Sequence, residues 1–237
     1  MQADGMFRRR QLPHWDVEGK PVFITACLAG SISPKGMERI RQYRFELDAR
    51  PCPEHLSEKQ WEQNKSKLVF ALVDDMLDHQ SGVRHLADDR QAEIVHNAVL
   101  HFAGERYTLL AFVVMPSHHH WLFLPDEAWS RQVVARGRGT SQPQTPREII
   151  SHSVQSYTAT MCNRIRGASG RYWQGETFDH WARDEAEMYR IIEYIEHNPV
   201  KAGLVEQPEH WQWSSARLRA GTGMKPGDPI VKPAEVG

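Results

Sequence analysis

The sequence predicts a chain of mixed strands and helices, and three features predict it. Apolar, β-prone runs recur at residues 22–28, 107–114 and 118–124, the composition of buried strands. Other stretches carry apolar residues three and four apart, the spacing of a single helical face. Proline, glycine and serine punctuate the boundaries between the two kinds of segment.

Arg8-Arg9-Arg10 and Leu12-Pro13-His14-Trp15 open the ordered part. Val22 to Leu28 is the first strand, bounded by Pro21 and Gly30. Pro34 starts a helix through Met37, Ile40 and Tyr43. Residues 58–79 are helical by spacing, with Trp61, Leu68, Leu72 and Met76 on one side. Residues 88–103 repeat the pattern with Ile94, Val95, Ala98, Val99 and Phe102. Tyr107 to Val114 reads as a buried strand, Pro116-Ser117 as a turn, and His118 to Leu124 as the returning strand of a hairpin. Residues 128–147 hold Arg131, Arg136, Arg138 and Arg147 among Gly, Pro, Ser, Thr and Gln, a mobile basic loop that is either a phosphate contact or a solvated insertion. A helix follows over Arg147 to Ile165, stopped by Gly167 and Gly170. Arg171 to Gly175 is a loop or short strand. Asp184 then caps a helix, with Glu187 as capping-box partner and Pro199 as its end. Residues 10–217 form one domain by this reading, and 218–237 a disordered tail.

Composition narrows the function classes. A chain of 237 residues buries a full core, as one large domain or one domain with extensions. A net charge of -1 excludes a basic coat for nucleic acid and leaves only local basic patches for such a partner. Cys27, Cys52 and Cys162 are odd in number and scattered, which argues against a disulfide framework and suits a reducing cytoplasm. No Cys-x-x-Cys zinc pattern occurs, no apolar run is long enough for a membrane span, and Met1 to Gly5 shows no signal-peptide pattern.

The triplet His118-His119-His120 is the most informative feature. Successive strand residues point to opposite faces, so His118 and His120 share a face and His119 points away. Two imidazoles side by side suit a divalent metal, although such pairs also occur as plain structure. A second constellation is Tyr194-Ile195-Glu196-His197-Asn198-Pro199. Tyr194 and Asn198, four apart on a helix, share a face. Tyr194 is either a core tyrosine or a nucleophile, and the Asn198 amide oxygen either joins a metal shell or caps the turn. Tyr157 and Tyr172 are rival nucleophiles. Tyr157 lies on a helix of mixed face, and Tyr172 adjoins Trp173, a pair that either packs or stacks on an unpaired base.

Together the two constellations resemble the single-strand DNA transposases with one catalytic tyrosine and a His-hydrophobic-His motif. They are most similar to the branch of REP-associated tyrosine transposases. The matching pieces are Met115 to His120, Tyr194 to Val205, Leu12 to Trp15, Tyr172 to Gln174, Phe178 to His180, Arg183 to Glu185 and Trp211 to Ser215. The resemblance spans residues 10–217, and its C-terminal part is the more specific. Two positions depart from the family pattern. His119 stands where a hydrophobic residue is usual, and Ser117 where asparagine is common.

The resemblance implies a ferredoxin-like α+β domain with a central antiparallel sheet flanked by helices. It implies that His118, His120 and Asn198 hold Mg²⁺ or Mn²⁺ and that Tyr194 attacks a DNA phosphate, leaving a 5′-phosphotyrosine and a free 3′-hydroxyl. The partner is then a single-stranded DNA hairpin, REP-like or an insertion-sequence end. Arg164, Arg166, Arg171, Arg183 and Lys201 are its expected phosphate contacts, with Tyr172 and Trp173 beside them. The protein would work as a monomer or homodimer in the cytoplasm, on the nucleoid when bound to DNA. Two other readings stay open: a domesticated hairpin-binding regulator that does not transpose, and a structural zinc or nickel protein unrelated to nucleic acid.

Overall fold

A computed structural model describes residues 19–137, 143–175 and 177–231, and the backbone of residues 6–9 and 13–16. Two short strands come first, β1 (Met6–Arg9) and β2 (Pro13–Asp16), paired antiparallel. β3 (Val22–Cys27) follows, then α1 (Pro34–Asp48), α2 (Glu58–His79) and α3 (Asp89–His101). β4 (Tyr107–Val114) and β5 (His118–Pro125) form the expected hairpin around Pro116-Ser117. α4 (Glu127–Gly137), α5 (Pro146–Arg166), β6 (Phe178–Trp181), α6 (Glu185–Lys201) and α7 (Ser215–Thr222) complete the order.

The main sheet runs β4-β5-β3-β6, every neighbouring pair antiparallel. β3 and β4, joined through three helices, are not neighbours, because β5 enters between them. This is the ferredoxin-like β-α-β-β-α-β arrangement. Alternation along the strands sorts the core into two layers. Phe23, Ala111, Val113 and Leu122 pack against Ile192 and Ile195 of α6, and Cys27 packs with Ile40 of α1 and Val69 and Val73 of α2. Val22, Ile24, Phe112, Trp121 and Phe123 face the other way, toward Val99 of α3 and Ile150 and Val154 of α5. The first layer, under α2 and α6, is the one that receives His118 and His120.

Four local expectations are corrected. The first half of the basic stretch 128–147 is helix α4, because Val133 is buried and Trp129 packs on the core. Its residues 138–142, Arg138 among them, lie outside the described residues. Thr145 and Glu148 then form a capping box that starts α5. Asp184 caps α6 as expected, but Glu187 does not close the box. Its carboxylate is taken by Arg183, whose Nε and Nη2 donate to it at 2.6 and 2.8 Å. Pro199 does not end α6. The helix runs on to Lys201, and Gly203, in the left-handed region at φ 68°, closes it. The disorder expected from residue 218 does not hold through residue 231. Arg219 is buried on Glu196, and Ile230 is buried with its N–H donating to Leu109 O at 2.7 Å. Residues 232–237 lie outside the described residues. Among the described residues no helix is long and apolar enough to cross a membrane.

Candidate metal and tyrosine site

Strand alternation sets the centre of the site. His118 and His120 point to the α2/α6 side with their Nε2 atoms 3.0 Å apart, and both rings are fully buried. His119 points the other way and sets its ring edge-on against Trp173, with centroids 4.9 Å apart. Burial, and after it the charge of His120, pushes the His119 pKa down to about 3. His119 is therefore a neutral core residue, and its place in the triplet does not disturb the pair.

The rings are held from behind by hydroxyls. Ser117 Oγ donates to Leu77 O at 2.9 Å, so toward His118 Nδ1, 3.0 Å away, it acts as acceptor. That keeps the proton on Nδ1 and leaves the His118 Nε2 lone pair facing the site. Thr25 Oγ1 lies within hydrogen-bond distance of His120 Nδ1, at 2.7 Å, and holds that ring in place. Burial, followed by the neighbouring His120, holds His118 well below the usual imidazole range, so it is neutral, the form that binds metal. The departure at Ser117 thus has a physical role: it fixes the tautomer.

The third group is Asp74 from α2. One ligand atom from each of Asp74, His118 and His120 lies within 4.8 Å of the others, and all three residues are buried. Asp74 was missed in the sequence, as was Asp78 one turn later. The helical spacing was legible, but its buried face was misjudged. Met76 is buried as the spacing implies and Leu72 packs on the core, but Leu68 is 40% exposed, and the buried face runs through Lys65, Val69, Val73, Asp74, Met76 and Leu77. A carboxylate on an otherwise apolar face was the signal available.

Tyr194 sits against this centre. Its hydroxyl donates to Asp74 Oδ1, accepts from Asn198 Nδ2 at 3.3 Å and lies 3.5 Å from His120 Nε2. The rings of Phe23 and Phe70 meet the Tyr194 ring edge-on at 6.0 and 5.8 Å. Asn198 shares the Tyr194 face as expected, and its Oδ1 is buried with no hydrogen-bond partner. Burial works to raise the Asp74 pKa, but His120, Lys201 and Tyr194 outweigh it and hold the carboxylate ionised well below its usual range. Burial, then the Asp74 charge, raises the Tyr194 pKa well above the usual phenol range.

The residues fit a divalent cation. Two imidazoles and a carboxylate converge, and two further buried acceptors, the Asp78 carboxylate and Asn198 Oδ1, lack hydrogen-bond donors. Mixed nitrogen and oxygen donors of this kind suit Mn²⁺ and related ions.

The expected DNA contacts are scattered. Lys201 belongs to the centre itself, donating to Asp74 Oδ2. Arg183 is committed to Glu187 and Gln63. Tyr172 and Trp173 are core residues, 2% and 5% exposed. The Tyr172 hydroxyl donates to Gln91 and the Trp173 indole to Thr158, so neither ring is free to stack on a base. Arg164 and Arg166 are exposed near the end of α5, which packs on the opposite face of the sheet. Arg171 is exposed in the loop whose Gln174 N–H donates to Cys27 O, the residue paired with His118. Tyr157 is 54% exposed on α5, and Tyr172 is buried, so Tyr194 alone among the three faces the candidate metal ligands. Beside Tyr194 a cavity of about 430 Å³ is walled by Phe23, Phe70 and Phe178, with Arg44, Lys67 and Arg190 also lining it. None of these three basic residues was singled out in the sequence.

No protein-family model matches the chain. A curated protein of Haemophilus influenzae, named as a REP-associated tyrosine transposase, is 27% identical over 111 residues, which are 46% of this chain. The match spans 58% of that relative's length. A solved structure of a REP-associated tyrosine transposase bound to a REP hairpin aligns with a TM-score of 0.52, covering 96% of this chain and 93% of that one. At 16% identity this likeness shows the shared fold. Both comparisons carry the family name that the histidine and tyrosine motifs resemble.

Proposed function

We propose that this chain is a metal-dependent tyrosine nuclease and strand transferase of the REP-associated kind, acting on single-stranded DNA beside a hairpin. One observation supports it above the others: Tyr194 Oη lies 3.5 Å from His120 Nε2, at the edge of a buried group of two imidazoles and a carboxylate. A core tyrosine needs no such neighbours.

In this reading the scissile strand enters the aromatic cavity beside Tyr194, and Arg44, Lys67 and Arg190 meet its phosphates. Exposed Arg164, Arg166 and Arg171 take the hairpin duplex. Tyr194 Oη bonds to the scissile phosphorus as the P–O3′ bond breaks, giving a 5′-phosphotyrosine and a free 3′-hydroxyl. The phenolic proton passes to Asp74, which already accepts that hydrogen bond, and the leaving 3′ oxygen takes a proton from solvent. Tyr194 is protonated at rest, so proton removal accompanies the attack. Asn198 Nδ2 and the edges of Phe23 and Phe70 orient the phenol. A divalent cation held by His118, His120 and Asp74, with Asn198 Oδ1 as a further donor, supplies charge neutralisation at the phosphate. Mn²⁺ suits nitrogen ligands better than Mg²⁺, which prefers oxygen. One phosphodiester replaces another, so the strand can be rejoined without an outside energy source.

The test is a covalent adduct. Wild-type protein with a single-stranded hairpin oligonucleotide and Mn²⁺ is expected to give a denaturation-resistant band that chelator abolishes. Hairpin binding with no adduct under any divalent metal would support the regulator reading instead.

A further inference from the structure

We propose that α2 supplies a second carboxylate, Asp78, to the cation site, and that the Lys201 ammonium is the resident counter-ion which a divalent metal displaces. This rests on the metal-dependent reading above and names a carboxylate, Asp78, that neither motif contains.

Asp78 is four residues after Asp74 on α2, so both carboxylates leave the same helical face. The Asp78 side chain is 0% exposed, yet neither of its oxygens accepts a hydrogen bond. Oδ1 lies 3.9 Å from His118 Nε2, and Oδ2 lies 3.7 Å from Lys201 Nζ. An ionised carboxylate shut away without donors costs several kcal/mol unless a cation answers it. Lys201 answers only in part. Its Nζ hydrogen-bonds Asp74 and reaches Asp78 at a longer distance, so one positive charge faces two carboxylates. A divalent ion between the same groups would match both charges and use the lone pairs of the two histidines.

Lys201 is built to leave. Its side chain is 48% exposed, whereas the carboxylates it bridges are 1% and 0% exposed. A long flexible stem lets the ammonium swing to solvent while its methylenes stay against the protein. The two helical residues past Pro199 are what bring it there. In its present place the ammonium lies 5.8 Å from the Tyr194 ring centroid, so once displaced it would be close enough to meet a phosphate beside that tyrosine. The site thus carries a monovalent placeholder that keeps two buried acids apart from each other until a metal arrives.

The experiment titrates Mn²⁺ into the full-length chain, stripped with chelator, and reads free Mn²⁺ by electron paramagnetic resonance without DNA. Asp78→Asn is expected to weaken binding about ten- to a hundred-fold, the range for losing a metal's supporting group. Lys201→Met is expected to tighten it, because no counter-ion must be displaced. Without metal, Asp78→Asn should melt at or above the wild-type temperature, since an uncompensated buried charge has gone. Mn²⁺ affinity in Asp78→Asn within two-fold of wild type, with His118→Ala abolishing binding, would overturn the Asp78 assignment and leave the metal reading standing. Unchanged or weaker affinity in Lys201→Met would overturn the counter-ion role. No saturable binding by wild type would overturn the metal reading itself.

Discussion

At the scale of single residues, one triplet contains two different jobs. His118 and His120 turn their Nε2 atoms toward each other in the site, and His119 is a neutral ring against Trp173. Its Nδ1 is buried without a hydrogen-bond partner, so an apolar side chain should serve there. His119→Leu is expected to keep wild-type Mn²⁺ affinity and to change stability by less than about 1.5 kcal/mol, as volume-conserving core swaps do. Loss of metal binding in that variant would mean the strand does not hold the triplet as described. This division was legible in the sequence, because strand period alone dictates it. Asp74 and Asp78 were not legible, because nothing local joins them to the histidines. Only the packing of α2 across β5 does, and the apolar spacing of α2 suggested a different buried face.

At the scale of elements, α6 carries Tyr194 and Asn198 of the proposed site and depends on its first turn. Glu187 is 4% exposed there and is clasped by Arg183, His180 and Lys67. Burial works to raise its pKa, but the Arg183 hydrogen bonds and then His180 outweigh it and hold the carboxyl well below the usual range. A folded pKa below the unfolded one, about 4.3 for glutamate, contributes stability that is present above that value. The contribution is lost as pH falls toward the folded pKa. Glu187→Gln is therefore expected to lower stability at pH 7 by about 3 kcal/mol, as breaking a buried pair does. The variant should also show a shallower fall in melting temperature below about pH 4, where the unfolded wild-type chain takes up a proton at Glu187 that the folded one resists. Parallel acid limbs in the two proteins would contradict this account of the clasp. The helix and its cap were predictable from Asp184 and the apolar spacing. The clasp was not, because the capping-box pattern assigned Glu187 to the wrong partner. The extension past Pro199 was hidden by a rule that holds more often than not: proline forfeits one hydrogen bond, and near a helix end the surrounding packing tolerates it.

At the scale of the whole molecule, the ferredoxin-like sheet does one thing for function: it brings β5, α2 and α6 to a single face. Strand and helix boundaries were largely readable from apolar periodicity. The order β4-β5-β3-β6 was not readable from any segment, since it is a matter of which strand enters between which, and it came only with the family resemblance. β6 escaped notice because Phe178-Asp179-His180-Trp181 has no clean alternation and none of its residues is fully buried. The C-terminal stretch was misread from composition, which does not register that Ile230 fills a core position beside Leu109. Ile230→Ala is expected to destabilise the protein by about 2–5 kcal/mol, the usual cost of such a core truncation, read as a lower urea midpoint. An unchanged midpoint would return that stretch to a passive tail.

The central claim is that Tyr194 is the nucleophile of a metal-assisted attack on DNA. The most direct measurement identifies the residue that carries the DNA after reaction of a hairpin oligonucleotide with Mn²⁺-loaded protein, by proteolysis, nuclease trimming and mass spectrometry. The account predicts a 5′-linked nucleotide on the peptide containing Tyr194, and no adduct from Tyr194→Phe. A nucleotide on Tyr157 or Tyr172, or an adduct that survives Tyr194→Phe, would contradict it.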